Sequence, residues 1–145
     1  MIQNHFARIQ KIKDKFSKFN NREVDHVLKV LNSNNKIDYV AKLEQKFCKL
    51  YKVKYSIACN SGTSGLHAAL FSLNLKKNDE VIIPALTVVM DAYAAIHLGC
   101  RPVFADVDKD TYLVTAETIK KKINKNTKAI ILVSLQGLPV DINPI

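Results

Sequence analysis

The sequence lacks the residue clusters that most metal sites and disulfide frameworks require. It has three cysteines, Cys48, Cys59 and Cys100, far apart and with no Cys-x-x-Cys pair. An odd, loosely spaced set points to reduced thiols in a cytosolic protein. Cys48 and Cys59 fall on expected apolar faces, and Cys100 follows Gly99, which ends a helix. The four histidines, His5, His26, His67 and His97, have no metal-ligand spacing. His67 and His97 each sit in an apolar helical pattern, where a satisfied packing role is expected. No apolar run reaches membrane-spanning length, and no long apolar core follows the Lys-rich N-terminus. The expectation is a cytoplasmic chain with no signal peptide and no membrane partner. Neither GxGxxG nor GxxxxGK[ST] is present, which removes the dinucleotide fingerprint and the Walker loop. No Ser-His-Asp or Cys-His arrangement stands out.

What is present is a chain of 145 residues, 48% of them hydrophobic, enough for one domain with a real core. The formal net charge of +9 comes mostly from dispersed lysines, such as Lys76-Lys77 and Lys120-Lys121-Lys122. With no aromatic interleaving and no nucleic-acid motif, this charge reads as solvated surface, and no nucleic-acid partner is expected.

The first part of the chain reads as helical. Ile2, Phe6, Ile9, Phe16 and Phe19 fall near one helical face. Val24, Val27, Leu28 and Leu31 form a second stripe, ending at Asn32-Ser33-Asn34-Asn35. A third helix follows Asp38 as N-cap, with Val40, Leu43, Phe47, Leu50 and Tyr51 inward. From Lys54 strands and helices alternate. Strands are expected at 55–59, 80–83, 102–107 and 129–135. Helices are expected at 64–75, at about 87–98, and after Thr115 with Ala116, Ile119 and Ile123. The run Ala129–Leu135 is nearly continuous in apolar residues, as in a strand covered on both faces. Repeated βα units predict an α/β layered domain with a mostly parallel sheet. The predicted organisation is a helical N-terminal segment at 1–53 and the first part of an α/β large domain at 54–145.

The most informative stretch is Ile57-Ala58-Cys59-Asn60-Ser61-Gly62-Thr63-Ser64-Gly65-Leu66. A short apolar segment runs into a turn of Asn, Ser, Gly and Thr, and then into an apolar helix. Small residues let an anion approach the backbone. The helix start supplies free N–H groups and partial positive charge. The simpler account of these residues alone is a helix capped by Ser61 or Thr63 with nothing bound. In parallel sheets ligands gather at the carboxyl ends of strands. Polar groups fall there at 60–64, 84–87, 106–108 and 134–137, although Asp106 and Asp108 also suit a plain turn. Residue chemistry thus reaches an α/β phosphate- or cofactor-binding domain.

The motifs carry the reading further by resemblance. Asn60–Leu66 resembles the N/S-G-T-x-A-L segment of the DegT/DnrJ/EryC1/StrS sugar aminotransferases. Asp79-Glu80-Val81-Ile82-Ile83-Pro84-Ala85-Leu86-Thr87 resembles the family's G-D-E-V-I-x-P-x-x-T. Gly99–Asp108 resembles G-A-x-P-V-F-x-D-V-D. Thr127–Ile131, then Gly137 and Pro139–Ile142, resemble T-K-A-I-I and G-x-P-x-D-I. These motifs stand in family order across residues 36–145.

The resemblance implies a three-layer fold-type-I large domain of a transferase that uses pyridoxal 5′-phosphate (PLP). It implies a homodimer, and amino transfer from glutamate to a keto group on a nucleotide-linked sugar. The phosphate-binding turn maps onto Gly62, Thr63 and Ser64. The residue that follows P-x-x-T, commonly aromatic and stacked on the pyridine ring, is here Val88. The family's P-V-H-x-Y-G reads Leu132-Val133-Ser134-Leu135-Gln136-Gly137, so Ser134 and Gln136 depart from it. The Schiff-base Lys and the Asp that pairs with the pyridine nitrogen come later in the family than Ile145. The resemblance therefore assigns no catalytic residue here, implies an incomplete large domain and predicts a chain inactive alone. A keto-deoxysugar dehydratase, in which His replaces that Lys, and a non-catalytic α/β binding domain are the alternatives.

Overall fold

The computed structural model describes residues 21–33 and 38–145. It divides into two compact units, Met1–Ile57 and Ala58–Ile145. The helical face expected between Ile2 and Phe19 lies outside the described residues.

The first unit contains α1 (Asn21–Asn32) and α2 (Tyr39–Tyr51). Asp38 caps α2 as its sequence predicts, its carboxylate accepting the Ala41 N–H at 2.9 Å. The apolar stripes do not become a core. Neither helix has a buried residue, and the expected inward side chains of α2, Leu43, Phe47 and Leu50 among them, are exposed. Periodicity places them on one face, but a face is buried only where another layer lies against it.

The second unit is built on three parallel strands, β1 (Glu80–Pro84), β2 (Arg101–Ala105) and β3 (Thr127–Ile130), in the order β2-β1-β3. The helices are α3 (Gly62–Ser72), α4 (Met90–Ile96) and α5 (Ala116–Lys120). Strand alternation divides β1 between two cores. Val81 and Ile83 pack with Leu70 of α3 and Ala92 and Ala95 of α4. Ile82 packs on the opposite face with Ala105, Val114 and Ile119 of α5. The predicted three-layer arrangement follows, because a central strand buried at every position needs cover on both faces. Each of the Val, Leu and Ile side chains among them contributes about 1.5–3 kcal/mol when fully buried.

The ends of the elements depart from expectation in instructive ways. Residues 55–59 form no strand, and Ile57 is 82% exposed. The described sheet has three strands in the order β2-β1-β3, and this segment adds to neither outer edge. The fourth expected strand is shortened to Thr127–Ile130. Ile131 still donates to the Ile82 carbonyl at 2.8 Å, and then the chain leaves the sheet as β1 reaches Pro84. β2 likewise ends at Ala105 and not at Val107.

The helix expected at 87–98 is trimmed to Met90–Ile96, with tight i to i+3 bonds at both ends, and Gly99 stops it at φ 74°. α3 begins at Gly62 and ends at Ser72, earlier at both ends than 64–75. Thr115 caps α5 in a reciprocal box with Thr118, but the helix stops at Lys120 and leaves Ile123 outside it, exposed.

A polar cluster around the buried Glu80 fixes the amino ends of the strands. Glu80 is 1% exposed, and its carboxylate accepts hydrogen bonds from the Arg101 guanidinium and from Asn124 Nδ2. The Arg101 bond, with help from Asn124, holds the Glu80 carboxyl below the usual carboxylate range. β1, β2 and the turn before β3 are thereby joined at one end, opposite the end where the chain leaves β1 and β3 for the cavity described next.

Candidate functional site

The strand-end loops and the start of α3 enclose a cavity of about 590 Å³. α3 supplies Gly62, Thr63 and Leu66; the segment after β1 supplies Val88, Met90 and Asp91; the segment from Ile131 to Ser134 closes it. The three sources converge because parallel strands deliver their carboxyl ends to one edge.

The helix start leaves backbone donors open toward this cavity. Ser61, extended at φ −158°, caps α3 by accepting the Ser64 N–H at 3.1 Å. The Ser61 carbonyl accepts the Gly65 N–H at 3.1 Å. The N–H groups of Gly62 and Thr63 and the Thr63 hydroxyl have no acceptor or donor among the described residues. A Cβ built on Gly62 meets nothing within 4 Å, so the space before its backbone is open. Of the two cap candidates, Ser61 takes the role, which leaves Thr63 free for the cavity.

Gly62, Thr63 and Val88 thus come together on one cavity, whereas Ser64 does not line it. The Ser64 hydroxyl lies 3.0 Å from that of Ser61 and completes the cap. Val88 is 66% exposed, with ample space beside it for a planar ligand. Ser134, which replaces the family's usual His, also lines the cavity. Gln136 sits outside it, at φ 54° in the following 3-10 turn.

Sequence reasoning passed over Asp91. It is buried, lines the cavity and accepts a 2.5 Å hydrogen bond from Thr87 Oγ1. The available signal was a lone acid one turn after Thr87, among alanines on the inward face of a helix.

The other candidates resolve as structure. Asp108 accepts the N–H groups of Asp110 and Thr111 and the Thr111 hydroxyl, which form a turn. The Thr111 bonds lead in holding its carboxyl below the usual carboxylate range. Neither Asp106 nor Asp108 lines the cavity. The three cysteines form no disulfide: Cys100 is buried, Cys48 half-buried and Cys59 exposed. Burial pushes the Cys100 thiol up. His67 departs from the satisfied packing role, because its buried Nε2 has no hydrogen-bond partner, although its ring meets that of His97 edge-on at 6.1 Å. Among the described residues no group of His, Cys, Asp and Glu could hold a metal, and no helix is long and apolar enough to cross a membrane.

A parallel sheet with helices on its faces and a helix start at the strand-end cavity is the architecture of the fold-type-I PLP-dependent enzymes. Comparison with known proteins agrees. The chain superposes on an aminotransferase from Psychrobacter cryohalolentis with a TM-score of 0.82 and 34% identity, covering 88% of this chain and 33% of the other. A Streptococcus pneumoniae protein described as a sugar aminotransferase, in its PLP form, gives a TM-score of 0.82 at 27% identity, with coverage of 88% and 33%. The Escherichia coli GDP-4-keto-6-deoxy-D-mannose-3-dehydratase with bound hydrated PLP gives 0.76 at 30%, with coverage of 83% and 33%. The DegT/DnrJ/EryC1/StrS aminotransferase family model matches residues 17–145, and the chain belongs to that family. The cofactor of these enzymes is PLP. The chain spans about a third of the length of each of these structures.

Proposed function

We propose that this chain is the N-terminal part of a PLP-dependent aminotransferase that acts on a nucleotide-linked keto-sugar, with glutamate as amino donor. The observation that carries the reading is the cradle: two unpaired helix-start N–H groups and the Thr63 hydroxyl open into the same cavity as Val88. These donors fit the phosphate of PLP, since they satisfy an anion with little formal charge. Gly62 and Thr63 hold the phosphate, Ser64 secures the cap that shapes the turn, and Val88 packs on one face of the ring. When bound, the cofactor supplies the electron sink for amino transfer. The residues of this chain bind and orient it. The Lys and Asp that complete the chemistry belong to the remaining two thirds of the enzyme, as do the other parts of a cytoplasmic homodimer.

The second reading is a keto-deoxysugar dehydratase, favoured by the 30% identity to the Escherichia coli dehydratase. The residue at the Schiff-base position of the longer polypeptide separates the two. Lys there, with glutamate-driven conversion of bound cofactor from its pyridoxal to its pyridoxamine absorbance, supports the aminotransferase. His there refutes it in favour of the dehydratase.

A further inference from the structure

The Thr87–Asp91 pair is not explained by phosphate binding. Asp91 is 7% exposed, stands on α4 and lines the cavity that also holds the cradle. Among the described residues its side chain has one hydrogen-bond partner, the Thr87 hydroxyl at 2.5 Å, and no cation pairs with it. A carboxylate offers about four acceptor positions, so one hydroxyl leaves most of them unused. Burying such a group is costly unless donors reach it. The rest of the lining is mainly aliphatic, with Leu66, Val88 and Ile131 prominent. A carboxylate also repels the phosphate that the cradle attracts, so it suits a different end of the ligand. The lining therefore carries both kinds of group, N–H donors for an anion and a buried acceptor for a donor or cation.

Resting on the cofactor reading above, we propose that Asp91 is a specificity-determining residue that accepts a hydrogen bond from a protonated amino group of the phosphorylated ligand. Thr87 is the positioning residue that sets the carboxylate's orientation. The ligand class is an amine that carries a phosphate, as in the aminated form of the cofactor. Asp91 distinguishes that form from an otherwise equal ligand with a hydroxyl in place of the amine.

The test uses the longer polypeptide of which this chain is the N-terminal part, and three probes: pyridoxamine 5′-phosphate, pyridoxine 5′-phosphate and inorganic phosphate. None of them has an aldehyde that would react with lysines. Binding is read by phosphorus NMR titration. Wild type is expected to prefer the amine over the alcohol by about tenfold, the scale of one charge-assisted hydrogen bond. Asp91→Asn abolishes that preference and leaves inorganic phosphate binding unchanged. Thr87→Val reduces the preference in part. Thr63→Ala weakens all three probes.

Equal affinity of wild type for amine and alcohol overturns the proposal, even if Asp91→Asn does not fold. So does an Asp91→Asn variant that loses all three probes equally or retains the preference. If Thr63→Ala weakens every probe while Asp91→Asn changes none, the cradle stands and Asp91 falls. If wild type binds none of the three, the cofactor reading and this proposal fall together.

Discussion

Adding one methyl group to Gly62 separates a working anion cradle from an ordinary capped helix. Gly62 is the first residue of α3, and the space its Cβ would enter is empty to 4 Å. Nothing in the protein resists Gly62→Ala, and alanine favours a helix over glycine by at most about 1 kcal/mol. The folded chain should therefore melt at the same temperature or slightly higher. Binding should move the other way, because the methyl group occupies the approach to the two free N–H groups. Loss of one hydrogen bond to a charged group costs about 1.5–3 kcal/mol, which is roughly tenfold to a hundredfold in affinity.

Thr63→Ala should behave alike. The Thr63 hydroxyl has no hydrogen-bond partner among the described residues, so its removal breaks no bond there. The assay pairs thermal melting with titration of pyridoxamine 5′-phosphate, which is not captured covalently by this lysine-rich chain. Higher or equal melting temperature with weaker binding in both variants supports the cradle. Unchanged affinity in both would refute the assignment of phosphate to the start of α3.

Three further outcomes follow from the same geometry. Val88→Phe should retain or improve pyridoxamine 5′-phosphate binding, because an exposed site beside the cavity has room for a ring that can stack; a clear loss of affinity would remove Val88 from the ligand's face. Glu80→Gln should lower the melting temperature at neutral pH. Because the folded Glu80 carboxyl titrates below its ordinary range, its contribution is present above that range and is lost as pH falls through the depressed value. The difference between wild type and variant should accordingly shrink in acid, and a pH-independent difference would show that ionisation is not the source. The 145-residue chain should show weak cofactor binding and no glutamate-dependent turnover. Borohydride reduction after PLP addition should label many lysines by peptide mapping, and one dominant labelled Lys with conversion to the pyridoxamine form would contradict this.

Local chemistry alone determined a good deal. Asp38 and Thr115 are caps because each carries an acceptor placed before a helical pattern, and Gly99 stops α4 because a left-handed residue is needed there. The order of strand and helix, and the polar turn at 60–64, were legible for the same reason: each is written in neighbours along the chain. The motifs also placed Gly62, Thr63 and Val88 near one ligand.

Tertiary structure decided what depends on neighbours across space. Residues 55–59 have a strand's pattern, yet a strand is made by its partner, and the segment pairs with neither edge of the described sheet. The stripes of α1 and α2 have a core's pattern, yet no layer in the described structure buries them. Ser64 looked equivalent to Thr63 until the Ser61 cap claimed one and left the other to the cavity. Asp91 carried no motif signal at all. Its burial, its bond to Thr87 and its place on the cavity arise only when α4 packs on the sheet with α3, because burial and convergence are properties of the packed chain.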